Sequence, residues 1–393
     1  MNKALLCFNY DKASQMMADQ GMDIILANTK PNVGYLADYY YNEGLPNFMM
    51  EDGKSFYEAF VGLPRDMKLD AFIVGCTGEE GYMDIVDPWI KDRKFWGPEF
   101  IVVGEDQRKV HFPDPVSAIV HALYERGLTN ANIGLEMQNI KHGHYKDLIK
   151  DLPDSEFMDA EPLLWQLRET KTEEEINRLR IVCNAIDKAV EKGFKSASVG
   201  MSEIEMEQII AKALIDEGCN MVNFLIGFGP KGARSVAPTE NRLKRNQIMR
   251  FDIAAEYQEY HGDISRVAAF GSVGDEAERA HDVILNTNLA LQERVKPGEN
   301  FKALRKLELD MLQKAGLTPL IPIAAHGVGR TVHEHPFVTE NNDKIIEPGI
   351  VLAIEPTIRL KGVGSINIED TVVVTERGIE CLTNSPRGLY DYD

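Results

Sequence analysis

Asp252, Asp263, His326, Glu355 and Glu369 each stand in an apolar, strand-like setting in the last third of the chain. Asp252 lies in Ile248-Met249-Arg250-Phe251-Asp252-Ile253, and Asp263 follows eleven residues later in His261-Gly262-Asp263-Ile264. His326 opens His326-Gly327-Val328-Gly329, Glu355 closes Val351-Leu352-Ala353-Ile354-Glu355, and Glu369 sits in Ile366-Asn367-Ile368-Glu369-Asp370. Any one of them alone would pass as a satisfied core group. Together they are four carboxylates and one imidazole, in places where a charge is costly to bury unless a cation or hydrogen bonds compensate it. Such a hard, oxygen-rich donor set suits two divalent cations, and the chemistry it suggests is metal-assisted hydrolysis.

Two similar blocks lead into these residues. A helix over Thr172–Phe194, a turn at Gly200 and a helix over Glu203–Glu217 precede the strands of Asp252 and Asp263. A helix over Asp275–Val295, a Pro297-Gly298 turn and a helix over Phe301–Ala315 precede His326, Glu355 and Glu369. The pattern reads as a diverged internal duplication whose halves both supply ligands to a centre at their join. Thr172 with Glu175, and Ser202 with Glu205, are capping boxes that fix two helix starts. Ile176, Leu179, Val182, Cys183 and Ile186 share one face of the first helix.

Residues 1–160 read as a separate, smaller α/β domain, and 161–393 as the catalytic domain. In the first, strands are expected over Asp23–Ala27, Ala71–Gly75, Phe100–Gly104 and Asn132–Glu136, and a helix over Val116–Arg126. The aromatic-rich segments Tyr39–Phe60 and Trp89–Trp96 are expected to be core or interface packing. The alternative is loops that roof a pocket or reach another subunit.

The chain has 393 residues and a formal net charge of −19, which argues against nucleic acid or an anionic membrane as partner. Its five cysteines are scattered with no CxxC pair, so a reducing, cytoplasmic setting is expected, with Cys183 and Cys219 as core residues. No stretch reads as a secretory signal or a membrane span. Gly227–Gly232 lacks the Gly-Lys-Ser/Thr ending of a phosphate loop and is expected to be a turn.

At these motifs the chain resembles the pita-bread metallohydrolases: methionine aminopeptidase, aminopeptidase P, prolidase and creatinase. Asp252 and Asp263 match the family's strand pair. His326-Gly327-Val328-Gly329 with His333-Glu334-His335-Pro336, Glu355-Pro356 and Ile368-Glu369-Asp370-Thr371 match the rest. Pro31-Asn32-Val33-Gly34-Tyr35-Leu36 is similar to a segment of the creatinase/prolidase-type N-terminal domain. The resemblance implies an α+β pita-bread domain after a creatinase-like α/β domain, and a homodimer. It implies two divalent ions (Mn, Co, Fe or Zn), with Asp252 chelating one, Asp263 and Glu369 bridging, and His326 and Glu355 on the second. Such a pair, about 3.5–4 Å apart, clamps attacking and leaving groups. Glu355 would act as general base and then acid, and His333 would hydrogen-bond the substrate carbonyl or the oxyanion.

Three substrate positions depart from the family pattern. Ser235 stands where peptidases carry a histidine, Phe337 where prolidases carry an arginine, and Asn367 where aminopeptidase P-type members carry an arginine. Arg234 or Arg330 is a candidate replacement cation, against the plainer reading of a surface or structural arginine. His261 and His335 are read as pocket wall or plain packing. The expected activity is hydrolysis of an Xaa-Pro or related small peptide, by a dipeptidase or an aminopeptidase. The alternative is a same-fold enzyme acting on a small amide or other non-peptide molecule, as creatinase, ectoine hydrolase or the metal-dependent dimethylsulfoniopropionate lyase does. A non-catalytic binding protein is the third reading, and the five retained ligands count against it.

Overall fold

The computed structural model describes residues 6–40, 58–97, 111–231 and 237–393. The chain divides into two compact units, Met1–Arg168 and Glu169–Asp393.

The first unit is built on β1 (Ile24–Ala27), β2 (Phe60–Pro64), β3 (Phe72–Cys76), β4 (Asp92–Trp96), β5 (His111–Phe112), β6 (Asn132–Leu135) and β7 (Glu156–Asp159). They form one sheet in the order β5-β4-β3-β2-β1-β6-β7. Strand β2 is antiparallel to both neighbours, and the other pairs are parallel. The accompanying helices are α1 (Tyr10–Asp19), α2 (Lys30–Ala37), α3 (Glu80–Val86), α4 (Pro115–Glu125), α5 (His142–Asp151) and α6 (Glu161–Glu169). Alternate residues of β1 enter different cores. Ile25 and Ala27 pack with Met17 and Leu163, while Ile24 and Leu26 pack with Ile119 and Leu148. A sheet buried on both faces makes its strands unbroken apolar runs, which is why β1, β3 and β6 stand out in the sequence. Phe100–Gly104 lies outside the described residues. Strand β4 is less legible because it opens on Asp92-Arg93-Lys94, charges that are paired locally, Lys94 to Asp92 at 2.7 Å and Arg126 to Asp92 at 2.5 Å. Of the aromatic segments, Tyr39, Phe60, Phe95 and Trp96 are buried core residues, and Tyr41, Phe48, Phe56 and Tyr57 lie outside the described residues.

In the second unit, α7 (Glu173–Lys195) and α8 (Glu203–Asp216) both start at reciprocal capping boxes, Thr172 with Glu175 and Ser202 with Glu205. They cover one face of an antiparallel sheet of β8 (Asn220–Phe228), β9 (Gln247–Tyr257) and β10 (Tyr260–Phe270), ordered β10-β9-β8. Met249, Phe251, Ile253, Ile264 and Ala268 point at that face and pack with Val182, Ile186, Ile210 and Leu214. Gly262 lets α7 lie close, since a Cβ there would stand 2.9 Å from Ile186 Cδ1 and 3.3 Å from the backbone nitrogen of Cys183.

The block then recurs. Helices α9 (Asp275–Arg294) and α10 (Phe301–Lys314) precede β11 (Ala325–Gly327), β12 (Glu334–Phe337), β13 (Val351–Ile354), β14 (Thr357–Leu360), β15 (Gly364–Asn367), β16 (Asp370–Val374) and β17 (Ile379–Cys381). The larger sheet is ordered β12-β11-β13-β16-β17, and β14 pairs with β15 separately. Leu352, Ile354, Val372 and Val374 face Leu291, Val295, Phe301 and Leu304 of the two helices. The alternate residues are thereby turned to the opposite side, toward the site.

One buried carboxylate holds the α8 end of this unit. Glu203 accepts hydrogen bonds from Phe228 N (3.0 Å), Thr239 N (3.1 Å), Thr239 Oγ1 (2.7 Å) and Asn241 Nδ2 (2.8 Å). Glu203→Ala leaves these donors without their acceptor and should destabilise the unit by about 3 kcal/mol, measured by urea unfolding.

Candidate metal centre

The spacing of the two aspartates follows from hairpin arithmetic. Strands β9 and β10 join through Gln258 and Glu259, both at positive φ (48° and 56°), as a two-residue loop matched to strand twist requires. The register then sets Asp252 opposite Ser265 and Ala254 opposite Asp263. The aspartates are therefore diagonal neighbours on the face turned away from α7 and α8. The two glutamates are placed by a second register. Ile354 pairs with Asp370 in one ladder and Thr357 with Asn367 in the next, so Glu355 and Glu369 face each other at the interruption between them. His326 pairs with Ala353, two residues before Glu355 on the same side. The sheets of the two blocks meet where Glu369 N donates to Ser265 O at 3.0 Å.

These placements bring the five side chains together. His326 Nε2 lies 3.8 Å from Asp263 Oδ2, 3.5 Å from Glu355 Oε1 and 3.7 Å from Glu369 Oε1. Ligand atoms of Asp252, Asp263 and Glu369, of His326, Glu355 and Glu369, and of Asp263, His326 and His333 form groups within 4.8 Å. Nδ1 of His326 stands 2.9 Å from Gly327 O, and a carbonyl only accepts, so Nδ1 carries the proton. Nε2 then presents a lone pair, and it is buried with no hydrogen-bond partner among the described residues. Burial and the neighbouring His333 push the His326 pKa down to about 3. Burial first, then mutual repulsion, holds Asp263, Glu355 and Glu369 well above the usual carboxylate range. A lone pair facing three carboxylate oxygens is repulsive unless a cation lies between them. Donors about 2.1 Å from a shared cation stand roughly 3–4 Å apart, the spacing seen here. The donor set fits divalent metal.

Other residues fix the orientation of these donors. Asn288 on α9 is fully buried, and its amide donates to Ile354 O (2.9 Å) and Ile368 O (3.0 Å), the carbonyls just before Glu355 and Glu369. Gln292 ties Asn288 Oδ1 (2.6 Å) to Asp370 Oδ2 (2.8 Å). Arg266, fully buried, donates to Glu369 O at 2.5 Å and Asp370 Oδ1 at 2.7 Å. Against its own desolvation, Arg266 and then Arg387 hold the Asp370 carboxyl below its usual range. Arg250 Nη2 binds Asp252 Oδ2, Arg250 Nε donates to Asn367 Oδ1 at 2.6 Å, and Asn367 Nδ2 reaches Asp252 Oδ2 at 3.4 Å.

The cluster opens into a cavity of about 700 Å³, whose lining includes Asp252, Asp263, Glu355 and Glu369 together with Leu225, Leu320, Pro322 and Val332. His333 is in its wall, with its ring centroid 4.0 Å from that of His326. Phe337 is not among the lining residues and packs edge-on to His335 at 5.1 Å. Asn367 is fully buried, holding Arg250 and Asp252. Arg330 is no substrate cation. It is buried, donates to Glu259 Oε2 at 2.8 Å and lies over the Tyr260 ring, so it serves the β9–β10 turn. His261 faces Gly329 O at 3.1 Å. Arg234 and Ser235 lie outside the described residues. Arg250, Thr357 and Arg359 also line the cavity and were missed by motif reading. Their signal is period two, since each lies two or four residues from Asp252 or Glu355 on the same strand face.

The sequence profile of metallopeptidase family M24 matches residues 177–376, and that of the creatinase/prolidase N-terminal domain matches residues 10–170. The chain belongs to metallopeptidase family M24. It is thus an enzyme with the pita-bread fold, of a family that uses divalent metal ions. An uncharacterized peptidase of Staphylococcus aureus strain USA300 is 30% identical over 254 residues, 64% of this chain and 72% of that one. The Xaa-Pro dipeptidase from Bacillus anthracis superposes with a TM-score of 0.80 at 21% identity, covering 97% of this chain and 98% of that one. The X-Pro aminopeptidase from Thermotoga maritima MSB8 does so with a TM-score of 0.79 at 19% identity, covering 97% and 99%. At those identities the two structures speak for the fold alone. Among the described residues, no helix is long and apolar enough to cross a membrane.

Two outcomes follow from this geometry. Carboxylates whose pKa is raised by folding favour the folded state at low pH and lose that contribution as pH rises through the folded pKa. Chelator-stripped protein should therefore lose stability as pH climbs from about 4.5, the unfolded carboxylate range, toward neutrality. Glu369→Gln should lose less, and saturating metal should reverse the trend, all read by thermal unfolding. Asn288→Ala should weaken metal binding by about 10- to 100-fold, measured by competition with a chelating dye, because it frees the strand ends that aim both glutamates.

Proposed function

We propose that the protein is a dinuclear metal-dependent hydrolase of small peptides, cleaving Xaa-Pro dipeptides or the N-terminal residue of short Xaa-Pro peptides. The observation that carries this reading is the buried Nε2 of His326, without a hydrogen-bond partner among the described residues and set 3.5–3.8 Å from three carboxylates. Asp252, Asp263, His326, Glu355 and Glu369 would hold the two ions. Manganese, cobalt, iron and zinc all suit the donor set. When bound, the ions supply Lewis-acid polarisation of the scissile carbonyl and a water that ionises near neutral pH.

The chain's own residues then do the rest. Glu355, which lines the cavity, takes the nucleophile's proton and passes it to the leaving amine. His333, whose basicity desolvation lowers, donates to the carbonyl oxygen as negative charge develops there. The apolar wall of Leu225, Leu320, Pro322 and Val332 receives a small side chain or a pyrrolidine ring. The M24 membership and the fold shared with an Xaa-Pro dipeptidase and an X-Pro aminopeptidase support the peptide reading.

The test is a panel of Xaa-Pro dipeptides and tripeptides offered to chelator-stripped protein refilled with each metal. Metal-dependent release of proline, or of the first residue, is expected. Stoichiometric metal binding with no cleavage across the panel would move the substrate to a small non-peptide amide. Glu355→Gln should reduce kcat by at least about 10²-fold, consistent with losing the acid–base group, while the unfolding transition stays cooperative.

A further inference from the structure

His333 stands exposed in the cavity wall, and no hydrogen bond reaches its ring among the described residues. A group that must meet charge as it develops gains from being fixed beforehand. Here the fixing has to come through the main chain. Thr331 Oγ1 donates to His333 O at 2.9 Å, and Thr331 N donates to Glu334 Oε1 at 3.0 Å. The short turn that carries His333 is thus closed on the Glu334 carboxylate. Its start is pinned to β10, where His261 N donates to Gly329 O at 2.8 Å.

The other oxygen of Glu334 meets a cation from a distant part of the chain. Lys171 Nζ lies 3.1 Å from Glu334 Oε2, and both side chains are only 1% exposed. Lys171 stands just ahead of α7, with its own N donating to Gly349 O at 2.8 Å. Gly329 gives the pair room, since a Cβ there would stand 2.9 Å from both Glu334 Oε2 and Lys171 Cε. Burial pushes the carboxyl of Glu175 up to about 7, and Lys171 is the largest influence against it, so one ammonium serves two buried carboxylates. An ion pair buried this completely contributes little net stability, because desolvation offsets its attraction. What it provides is a fixed place for the turn beside it.

We propose that Glu334, clamped by Lys171, is a positioning residue for His333, holding the Thr331–Glu334 turn so that the imidazole is aimed into the cavity before substrate arrives. This rests on the role given above to His333 as donor to the substrate carbonyl. Glu334 is not among the cavity-lining residues, and its effect reaches the reaction through one side chain.

The first arm of the test needs no turnover, so it can fail separately from the peptidase reading. In zinc-loaded protein labelled at histidine Cε1, the His333 resonance is assigned by its loss in His333→Ala. At a pH where the histidines are neutral it should lie apart from those of exposed His121 and His142, because the His326 ring is 4.0 Å away. Glu334→Gln should move it toward that pair and leave His144 in place. The second arm is kinetic. Manganese-loaded Glu334→Gln should lose at least about tenfold in kcat, with KM and manganese content within about twofold. Added to His333→Ala, the same change should cost less than about twofold more. A merely looser fold would lower kcat by the same factor in both backgrounds. That result, or a His333 resonance unmoved in folded Glu334→Gln, overturns the proposal. Should Glu334→Gln fail to fold, Thr331→Val, which removes the hydroxyl on His333 O, is read in its place in both arms. Should no peptide be cleaved, the resonance alone decides.

Discussion

The constraint on which the second unit depends is the gathering of four carboxylates, Asp263 and Glu369 buried among them, with one imidazole whose lone pair faces three of the four. Among the described residues, Arg250 offsets only part of that negative charge. Arg250 touches Asp252, while Arg266 and Arg387 are spent on the Glu369 carbonyl and on Asp370. A protein core does not keep such an arrangement for stability, because an uncompensated buried charge costs several kcal/mol. The architecture is therefore best understood as a holder for positive charge, with its own folding free energy partly conditional on that charge arriving.

The holder is made of backbone register more than of side chains. Two antiparallel ladders, each fixed by one short connection, aim the aspartates and glutamates without any contact between the carboxylates themselves. Asn288 then satisfies the backbone where the second ladder breaks, and Gln292 ties Asn288 to the Asp370 carboxylate, so that the break does not become a loose joint. Helices behind both sheets keep the strands from shifting by one residue, a slip that would turn every ligand to the opposite face.

Much of this was legible in the sequence, for a physical reason. A carboxylate in an apolar strand is anomalous on its own, and two aspartates separated by ten residues are informative because a two-residue hairpin converts that count into a diagonal pair. The helix starts were legible because a capping box is a local device. What could not be read were partnerships between residues distant in the chain. Arg330 looks like a spare cation beside His326-Gly327-Val328-Gly329, yet it closes on Glu259, 71 positions earlier. Asn288 carries no motif at all, and its role exists only because α9 passes behind the broken ladder. Strand β4 hid its identity behind charges, and the partner of Asp92 at Arg126 is one that only the fold supplies.

The single register that runs through β13–β16 and β14–β15 also governs which changes of chain length this protein can absorb. Between Leu360 and Gly364 the chain turns over through Lys361-Gly362-Val363, with Gly362 at φ 84°. Residues added at that tip leave every pair from Thr357–Asn367 down to Glu355–Glu369 untouched. One residue added inside either arm turns a glutamate out of the site. Insertions in descendants of this chain should therefore gather at the tip, while the arms keep a constant length even as their side chains drift.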